Sequence, residues 1–590
     1  MIVPIHTAKE IKKKLSNYSV DDPEWFLYNS ELRFSKAYRE DSNSLDTKIW
    51  QFIRNENERV LNQEEDELES RWEVLPRHSR PGLDDLTSTI LHNRGIEENI
   101  KDFISCPIEK VKPENIGHID FSSNLILKAI EKDIPITIYG DYDADGITGT
   151  ALAMKALERL GARVDYYINS RASGYAINEI GMRKIASRGT PRLIITVDNG
   201  IASHEAIEFA RKAQMAVIVT DHHEFIEAPK ANAIIHSNNF DTPFAGVGVM
   251  FKLIHYLYNK LGRDDAFDFL GLVAIGTVAD LVPLVRENRI LTKHGLDKLN
   301  NNPSPAMMAL KEVLRIDRIK SSTIGFNIAP LINASSRING TADQALGLLL
   351  ETDYKKAKVT ASSLVKINEN RKKLVDKEVE KAEKLIDTYG NIIILKSSFH
   401  PGVMGIVAGR IKEKYNRPTI VLSEGDEYLK GSCRSIQGFN IKEALDKLDF
   451  LEGYGGHAMA AGLSLKKENF NRLCEELTLQ TKTLDIKPPI VKVDGVLEDI
   501  NIATVEQIEE LEPYGVGFPA PLFIYECRPQ EVKSIKDRHL KIIGDLDCIV
   551  WNAYEKFTAE NPSNMSLLGV PEINSYDNTI QFVAQDFRKS

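Results

Sequence analysis

The stretch ITIYGDYDADG, residues 136–146, sets an apolar, β-branched run directly against three acids, Asp141, Asp143 and Asp145. In extended backbone, side chains at i, i+2 and i+4 project to one side, so the three carboxylates crowd together. Without a cation they repel and raise one another's pKa, and a cation partner is the usual remedy. The plain alternative is an acidic turn capping a helix that starts near Thr148. The pattern repeats downstream: LIITV runs into Asp198-Asn-Gly, and AVIVT runs into Asp221-His222-His223. Between these runs lie the helical stretches TALAMKALERLG and HEAIEFARKA. Strands alternating with helices predict an α/β fold with a parallel sheet. In such a sheet the carboxyl ends of the strands face one crevice, where ligands bind.

Asp280, an acid inside the apolar VAIGTVADLVPL, is a fourth candidate, because it cannot be buried cheaply without a partner. Taken singly, Asp198 and Asp221 read equally well as helix caps, His222 as a satisfied core histidine and Asp280 as a cap. Four such residues on one edge point instead to one metal site. Mostly carboxylate with imidazole is a hard O/N set that suits Mn²⁺ or Mg²⁺ better than zinc. Two ions about 3.5–4 Å apart would clamp the attacking and leaving oxygens of a phosphoryl displacement.

The rest of the chain sets bounds. Its 590 residues exceed one core and predict three or four domains. With 42% hydrophobic and 27% charged residues it has a globular composition, and no apolar run is long enough to span a bilayer. The N-terminus has no apolar segment ahead of a small-residue cleavage site, so the chain is expected in the cytoplasm. Five cysteines without CxxC spacing argue against a zinc site or a disulfide framework. A net charge of −10 does not advertise a nucleic-acid binder, yet bound ions can draw phosphate to an acidic protein.

Residues 346–388 read as a long helix, with Val375, Val379, Ala382 and Ile386 on one stripe. A second α/β unit follows, with strands at 391–395 and 419–423 and a glycine-rich end, GYGGHAMAAG. Beyond about residue 485 short alternating strands predict a small β-barrel. Residues 1 to about 70 carry no visible chemistry.

GDYDADG, TVDNG, TDHHE and GTVADLVPLVRENR, in that order, resemble the motifs of the DHH phosphoesterase family. APLINASSRI, HPGVMGIVAGR, GSCRSIQGF, GGHAMAAGL and LEPYGVGFPAPLF are similar to the RecJ-type nucleases within it, and the resemblance covers roughly residues 72 to 550. It implies a DHH domain (71–345), a connecting helix (346–388), a DHHA1 domain (389–484) and an OB-fold (485–590), and leaves residues 1–70 as an N-terminal extension without a counterpart. The activity implied is a 5′→3′ exonuclease on single-stranded DNA, acting in repair and recombination and releasing 5′-mononucleotides.

Carried over by motif, Asp141, Asp143, Asp145, Asp198, His222 and Asp280 match metal positions. His223 matches one at the scissile phosphate, with Asp141 beside it in catalysis. Arg171, Arg337, Ser432, Arg434 and His457 match DNA contacts; without the resemblance, surface salt bridging would be the first reading of the arginines. Three positions depart from the pattern where glycine is usual: Ala176, Ser336 and Cys433. Partners implied are single-stranded DNA and a single-stranded-DNA-binding protein or helicase, with the chain a monomer and no membrane involved. The rivals are a phosphodiesterase on short oligonucleotides and a replication scaffold without catalysis.

Overall fold

A computed structural model describes residues 71–171, 176–386, 391–560, 562–574 and 577–590. Expectations for residues 1–70 lie outside the described residues. Trp72–Ile486 with Ile490–Ser590 form one compact unit.

Its first sheet contains β1 (Ile136–Gly140), β2 (Val164–Ile168), β3 (Arg192–Val197), β4 (Met215–Asp221) and β5 (Ala233–His236). The order is β2-β1-β3-β4-β5, and every neighbouring pair is parallel. β1 and β3 are buried along their whole length, as a sheet covered on both faces requires. Ile138, Ile195 and Ile218 pack into one core, while Tyr139, Ile194, Val217 and Val219 pack into another. Helices α1 (Ala144–Arg159), α4 (Gly246–Lys260) and α5 (Leu270–Ala279) gather on the first side; α2 (Glu179–Ala186) and α3 (His204–Lys212) cover the second.

Two boundaries differ from the sequence expectation. Helix α1 starts at Ala144 rather than near Thr148, because Asp143 caps it: Oδ1 accepts from the backbone N–H groups of Asp145 and Gly146 at 3.0 and 3.1 Å. The expected helix over 346–388 is two helices. Asp343–Leu350 ends at Glu351, and the connecting helix proper runs over Tyr354–Glu383 after Asp353 caps it through Lys356 N.

Ahead of that break lie α6 (Arg286–Asn301) and α7 (Ala329–Asn339), and the connecting helix is α8. Its buried Val375 and Ala382 lie on the expected stripe. After it come β6 (Ile393–Ser397), α9 (Met404–Tyr415), β7 (Thr419–Glu424), β8 (Tyr428–Arg434), β9 (Leu451–His457) and β10 (Ala460–Lys466). They form a sheet of order β9-β10-β8-β7-β6 in which β6 and β7 are parallel and the other pairs antiparallel. The glycine-rich segment is the hairpin β9–β10.

The C-terminal module corrects the expected closed barrel. Its strands are β11 (Gly495–Val496), β12 (Phe523–Cys527), β13 (Glu531–Ile535), β14 (His539–Ile543), β15 (Asp547–Val550), β16 (Met565–Ile573) and β17 (Ile580–Lys589). They form one seven-stranded sheet, β11-β12-β16-β17-β15-β14-β13, whose ends do not pair. One edge is a strand of two residues, and the other carries exposed Glu531, Lys533 and Ser534, polar groups of the kind that blunt an edge. Phe518 and Phe523 are buried core residues. The loop before β12 is tied to the first lobe by buried Arg289, which donates to Leu511 O and Pro513 O at 2.7 and 2.8 Å and lies against the rings of Phe103 and Phe518.

Ala176, one of the three departures from the motif pattern, has φ +72°. A side chain there costs about 1–2 kcal/mol, which glycine would avoid at some entropic cost. Ala176→Gly is therefore expected to stabilise the protein by up to about 1 kcal/mol, seen as a higher unfolding temperature in a thermal melt. A lower one would contradict this account.

Candidate metal centre and anion pocket

Strand register decides which residues meet. Gly140 pairs with Val197 across β1 and β3, so the next residues, Asp141 and Asp198, emerge side by side. β4 follows in the same order, with Ile195 opposite Ile218, which brings Asp221-His222-His223 to the same level. Asp280 arrives from the other direction, as the residue ending α5. Asp198 has φ +62°, an uncommon conformation for a side-chain-bearing residue and one that clusters at functional sites. Gly246, at the start of α4, permits the close approach there, since a Cβ would stand 2.5 Å from that of Asp198.

The six expected ligands come together. Ligand atoms of Asp141, Asp143 and Asp198 lie within 4.8 Å of one another, as do those of Asp145, His222 and Asp280. Asp198 joins the two groups: its Oδ1 is 3.0 Å from His222 Nε2, which is also 3.7 Å from Asp280 Oδ2 and 4.0 Å from Asp145 Oδ2. Two carboxylates also work structurally, Asp143 as the α1 cap and Asp145 by accepting from Gly246 N and Val247 N at 2.6 and 2.9 Å.

The electrostatics are those of a site built around positive charge. Burial, then the charge of Asp143, raises Asp141 well above the carboxylate range, and burial with Asp145 does the same to Asp198. Burial and neighbouring acids push Asp145 up to about 7 and Asp280 to about 9. Burial, then the charge of His223, lowers His222 to about 4, so its ring is neutral, as a metal ligand must be. Asp141 Oδ2 and His222 Nε2 are buried without a hydrogen bond among the described residues. Buried polar atoms left this way call for an ion or a water, and this donor set fits hard divalent cations.

Asp221 has a different job, which residue type alone did not separate from metal ligation or helix capping. It belongs to none of the ligand groups. Its Oδ1 accepts from His222 N at 2.7 Å and from His223 N at 3.2 Å, and meets His223 Nδ1 at 2.8 Å; Oδ2 accepts from Ile201 N at 2.9 Å. Burial would lower the His223 pKa, but the Asp221 carboxylate outweighs it and raises it. The contact at Nδ1 fixes the orientation of the His223 ring. The signal in sequence was an acid placed immediately before two histidines at a strand end. Asn333, also not singled out, accepts from Ala144 N at 2.9 Å and holds the Asp143 turn.

The candidate DNA contacts divide into a cluster and an outlier. Arg171 lies 4.3 Å from the Tyr142 ring, and its Nε is buried without a hydrogen-bond partner among the described residues. Arg337, near the end of α7, donates to Gly402 O at 3.2 Å. Burial, then Arg171, with smaller contributions from Arg371 and Arg434, lowers its pKa to about 10 against the pull of Asp143. Arg434 Nη1 donates to Cys433 O at 2.8 Å and Ser432 Oγ at 3.3 Å.

Among the described residues no carboxylate forms an ion pair with Arg171, Arg337 or Arg434, whereas buried Arg94 and Arg192 each pair with an aspartate at 2.7 Å. Ordinary salt bridging therefore does not describe the three. Arg371, on α8, was not anticipated; Asn368 holds its Nε at 2.9 Å. His457 stands apart on the exposed end of β9, 3.8 Å from Glu224 Oε1.

Two departures from the motif pattern leave this pocket untouched. Alternation along β8 turns Cys433 into the opposite core while Ser432 and Arg434 share the other face. Ser336 is buried in α7, its Oγ donating to Asn333 O.

Asp221→Asn is expected to leave the fold intact and lower the hydrolytic rate about 10- to 100-fold, the usual cost of losing an outer partner. Steady-state kinetics on a single-stranded substrate at saturating Mn²⁺ measures it, and an unchanged rate would remove Asp221 from the account.

Comparison with known proteins agrees with this architecture. Residues 135–277 match the DHH family N-terminal domain, 389–483 the DHHA1 domain and 493–586 the RecJ OB domain. The single-stranded-DNA-specific exonuclease RecJ of Bacillus subtilis (strain 168) is 36% identical over 87% of this chain and 68% of its own length. That of Escherichia coli (strain K12) is 36% identical over 73% and 81%. The crystal structure of RecJ from Thermus thermophilus in complex with Mn²⁺ superposes with a TM-score of 0.76 at 28% identity, covering 88% of this chain and 80% of that one. With its three modules in this order and its acids and imidazoles meeting at one sheet edge, the chain belongs to the RecJ family of single-stranded-DNA-specific exonucleases.

Proposed function

We propose that this protein is a metal-dependent 5′→3′ exonuclease on single-stranded DNA that releases 5′-mononucleotides, with a place in DNA repair and recombination. The observation that carries this reading is the pairing of a buried acid–imidazole cluster with nearby arginines that lack carboxylate partners among the described residues. Two Mn²⁺ or Mg²⁺ ions, one held by Asp141, Asp143 and Asp198 and the other by Asp145, His222 and Asp280 with Asp198 shared, would activate water and stabilise charge on the phosphoryl oxygens. One relative, RecJ from Thermus thermophilus, solved both with Mn²⁺ and with Mg²⁺, supports that choice.

The chain's own residues supply the rest. Asp221 fixes the His223 ring so that Nε2 meets a non-bridging oxygen of the scissile phosphate. Arg171, rigid against Tyr142, holds the strand backbone, and His457 approaches the cleft from the second sheet. Arg337, Ser432 and Arg434 recognise the 5′ end, since a terminal phosphate offers more charge and more acceptor oxygens than an internal diester.

The modules follow the boundaries read from the sequence, 71–345 for the catalytic lobe, 389–484 for the second lobe and 485–590 for the strand-binding module, with the helix Tyr354–Glu383 as the linker and residues 1–70 dispensable for chemistry. The enzyme acts as a monomer in the cytoplasm, on strands exposed by a helicase or held by a single-stranded-DNA-binding protein. Among the described residues no helix is long and apolar enough to cross a membrane. A phosphodiesterase on short oligonucleotides would not need the module at 493–586, and a scaffold without catalysis would not keep every carboxylate.

Digestion of end-labelled single- and double-stranded oligonucleotides with Mn²⁺, Mg²⁺ or chelator tests the reading. The expected result is metal-dependent loss of single strands from the 5′ end only, and comparable products from a 5′-blocked, 3′-free strand would overturn it. Asp198→Asn should abolish this activity while the metal-free protein unfolds at the same or a higher temperature, because one buried like charge is gone. Asp143→Ala would be a poorer probe, since losing the α1 cap costs about 1 kcal/mol by itself. Arg434→Ala should remove most of the advantage of a 5′-phosphorylated over a 5′-hydroxyl strand; equal weakening on both would make Arg434 a general phosphate contact.

A further inference from the structure

We propose that Gly405 is a specificity-determining residue: the missing side chain at this position opens the seat in which a terminal 5′-phosphate is distinguished from an internal diester. The inference rests on the nuclease reading above and goes beyond it in assigning end recognition to a backbone position.

Gly405 is the second residue of α9. An ideal Cβ on it would stand 2.9 Å from Arg434 Nη2 and 3.0 Å from Ser432 Oγ, closer than real Cβ atoms come without displacing a neighbour. The first turn of the helix therefore lies directly on the two side chains that β8 presents on one face. No side chain caps this helix. Ile406 N and Val407 N donate to Val403 O, but Met404 N and Gly405 N have no partner among the described residues. Two free N–H groups at a helix N-terminus suit an anion.

The same turn is clamped from the other side. Gly402 O accepts from Arg337 Nη1, and a Cβ on Gly402 would lie 2.0 Å from Arg337 O. Arg337 thus meets the segment leading into α9, while Arg434, the Ser432 hydroxyl and two backbone N–H groups meet at its first turn. A phosphate monoester carries an additional ionisable oxygen relative to a diester, and this donor set is large enough to engage it. A methyl group at 405 would push Ser432 Oγ and Arg434 aside without removing any charge.

Gly409 provides the control. It lies one turn further along α9, and a Cβ on it meets nothing within 4 Å, so its replacement by alanine changes helix propensity without crowding a neighbour.

The experiment uses the full chain and its Gly405→Ala and Gly409→Ala variants. Digestion of 5′-phosphorylated and 5′-hydroxyl single strands with Mn²⁺ is compared, together with equilibrium binding of the same strands in chelator. Gly405→Ala should raise KM and weaken binding for the phosphorylated strand about tenfold or more, to the level of the hydroxyl strand. Gly409→Ala should behave as the parent. A folded Gly405→Ala protein that keeps the full phosphate preference overturns the proposal, as does equal loss of preference in both variants. A parent protein that digests neither strand overturns the nuclease reading and this proposal with it.

Discussion

Five carboxylates and two imidazoles drawn into one partly buried cluster at the end of a sheet set the terms for the rest of this structure. Desolvating even one carboxylate costs several kcal/mol, and like charges a few ångströms apart add to the cost. The fold meets part of it locally. Asp145 takes two N–H groups at the start of α4, Asp143 caps α1, and Asp221 is satisfied by three backbone N–H groups and an imidazole. What remains unsatisfied, Asp141 Oδ2 and His222 Nε2, faces the ligand groups, so the outstanding electrostatic demand is for cations.

The arginine pocket shows the same economy with the sign reversed. Arg337 is held in a partly buried position by one carbonyl, with other guanidinium groups near enough to depress its pKa. Since α7 closes the first lobe, while Gly402, Ser432 and Arg434 belong to the second sheet's unit, the pocket exists only while both are in place. Positive and negative clusters are thus separate in the chain and adjacent in space, an arrangement matched to a substrate with a charged end and a phosphodiester beside it. The Asp143 charge acts on Arg337, so each cluster partly offsets the cost of the other.

Much of this was legible along the chain. Parallel strands ending in acids announced the α/β lobe, and the acids themselves were read as one site because each followed an apolar run. Period decided less well where polar capping intervened: Asp143 moved the start of α1 forward, and Asp353 divided a helix that hydrophobic spacing had joined. The closed barrel failed for a related reason. Alternation along each strand reports which face is buried but not whether the first and last strands meet, and here a two-residue strand and a polar edge lie at the two ends.

The sequence by itself determined the chemistry on offer: which acids, imidazoles and arginines exist, and that runs such as ITIYG carry acids to a sheet edge, because side-chain period and strand propensity are local properties. Tertiary structure alone decided their roles. Register placed Asp141 beside Asp198. Packing turned Asp221 away from the ligand groups and toward His223. The alternation of β8 sent Cys433 into the core and Ser432 with Arg434 toward α9. Those outcomes depend on contacts between residues tens to hundreds of positions apart, and no local pattern encodes which of two faces a distant segment will cover.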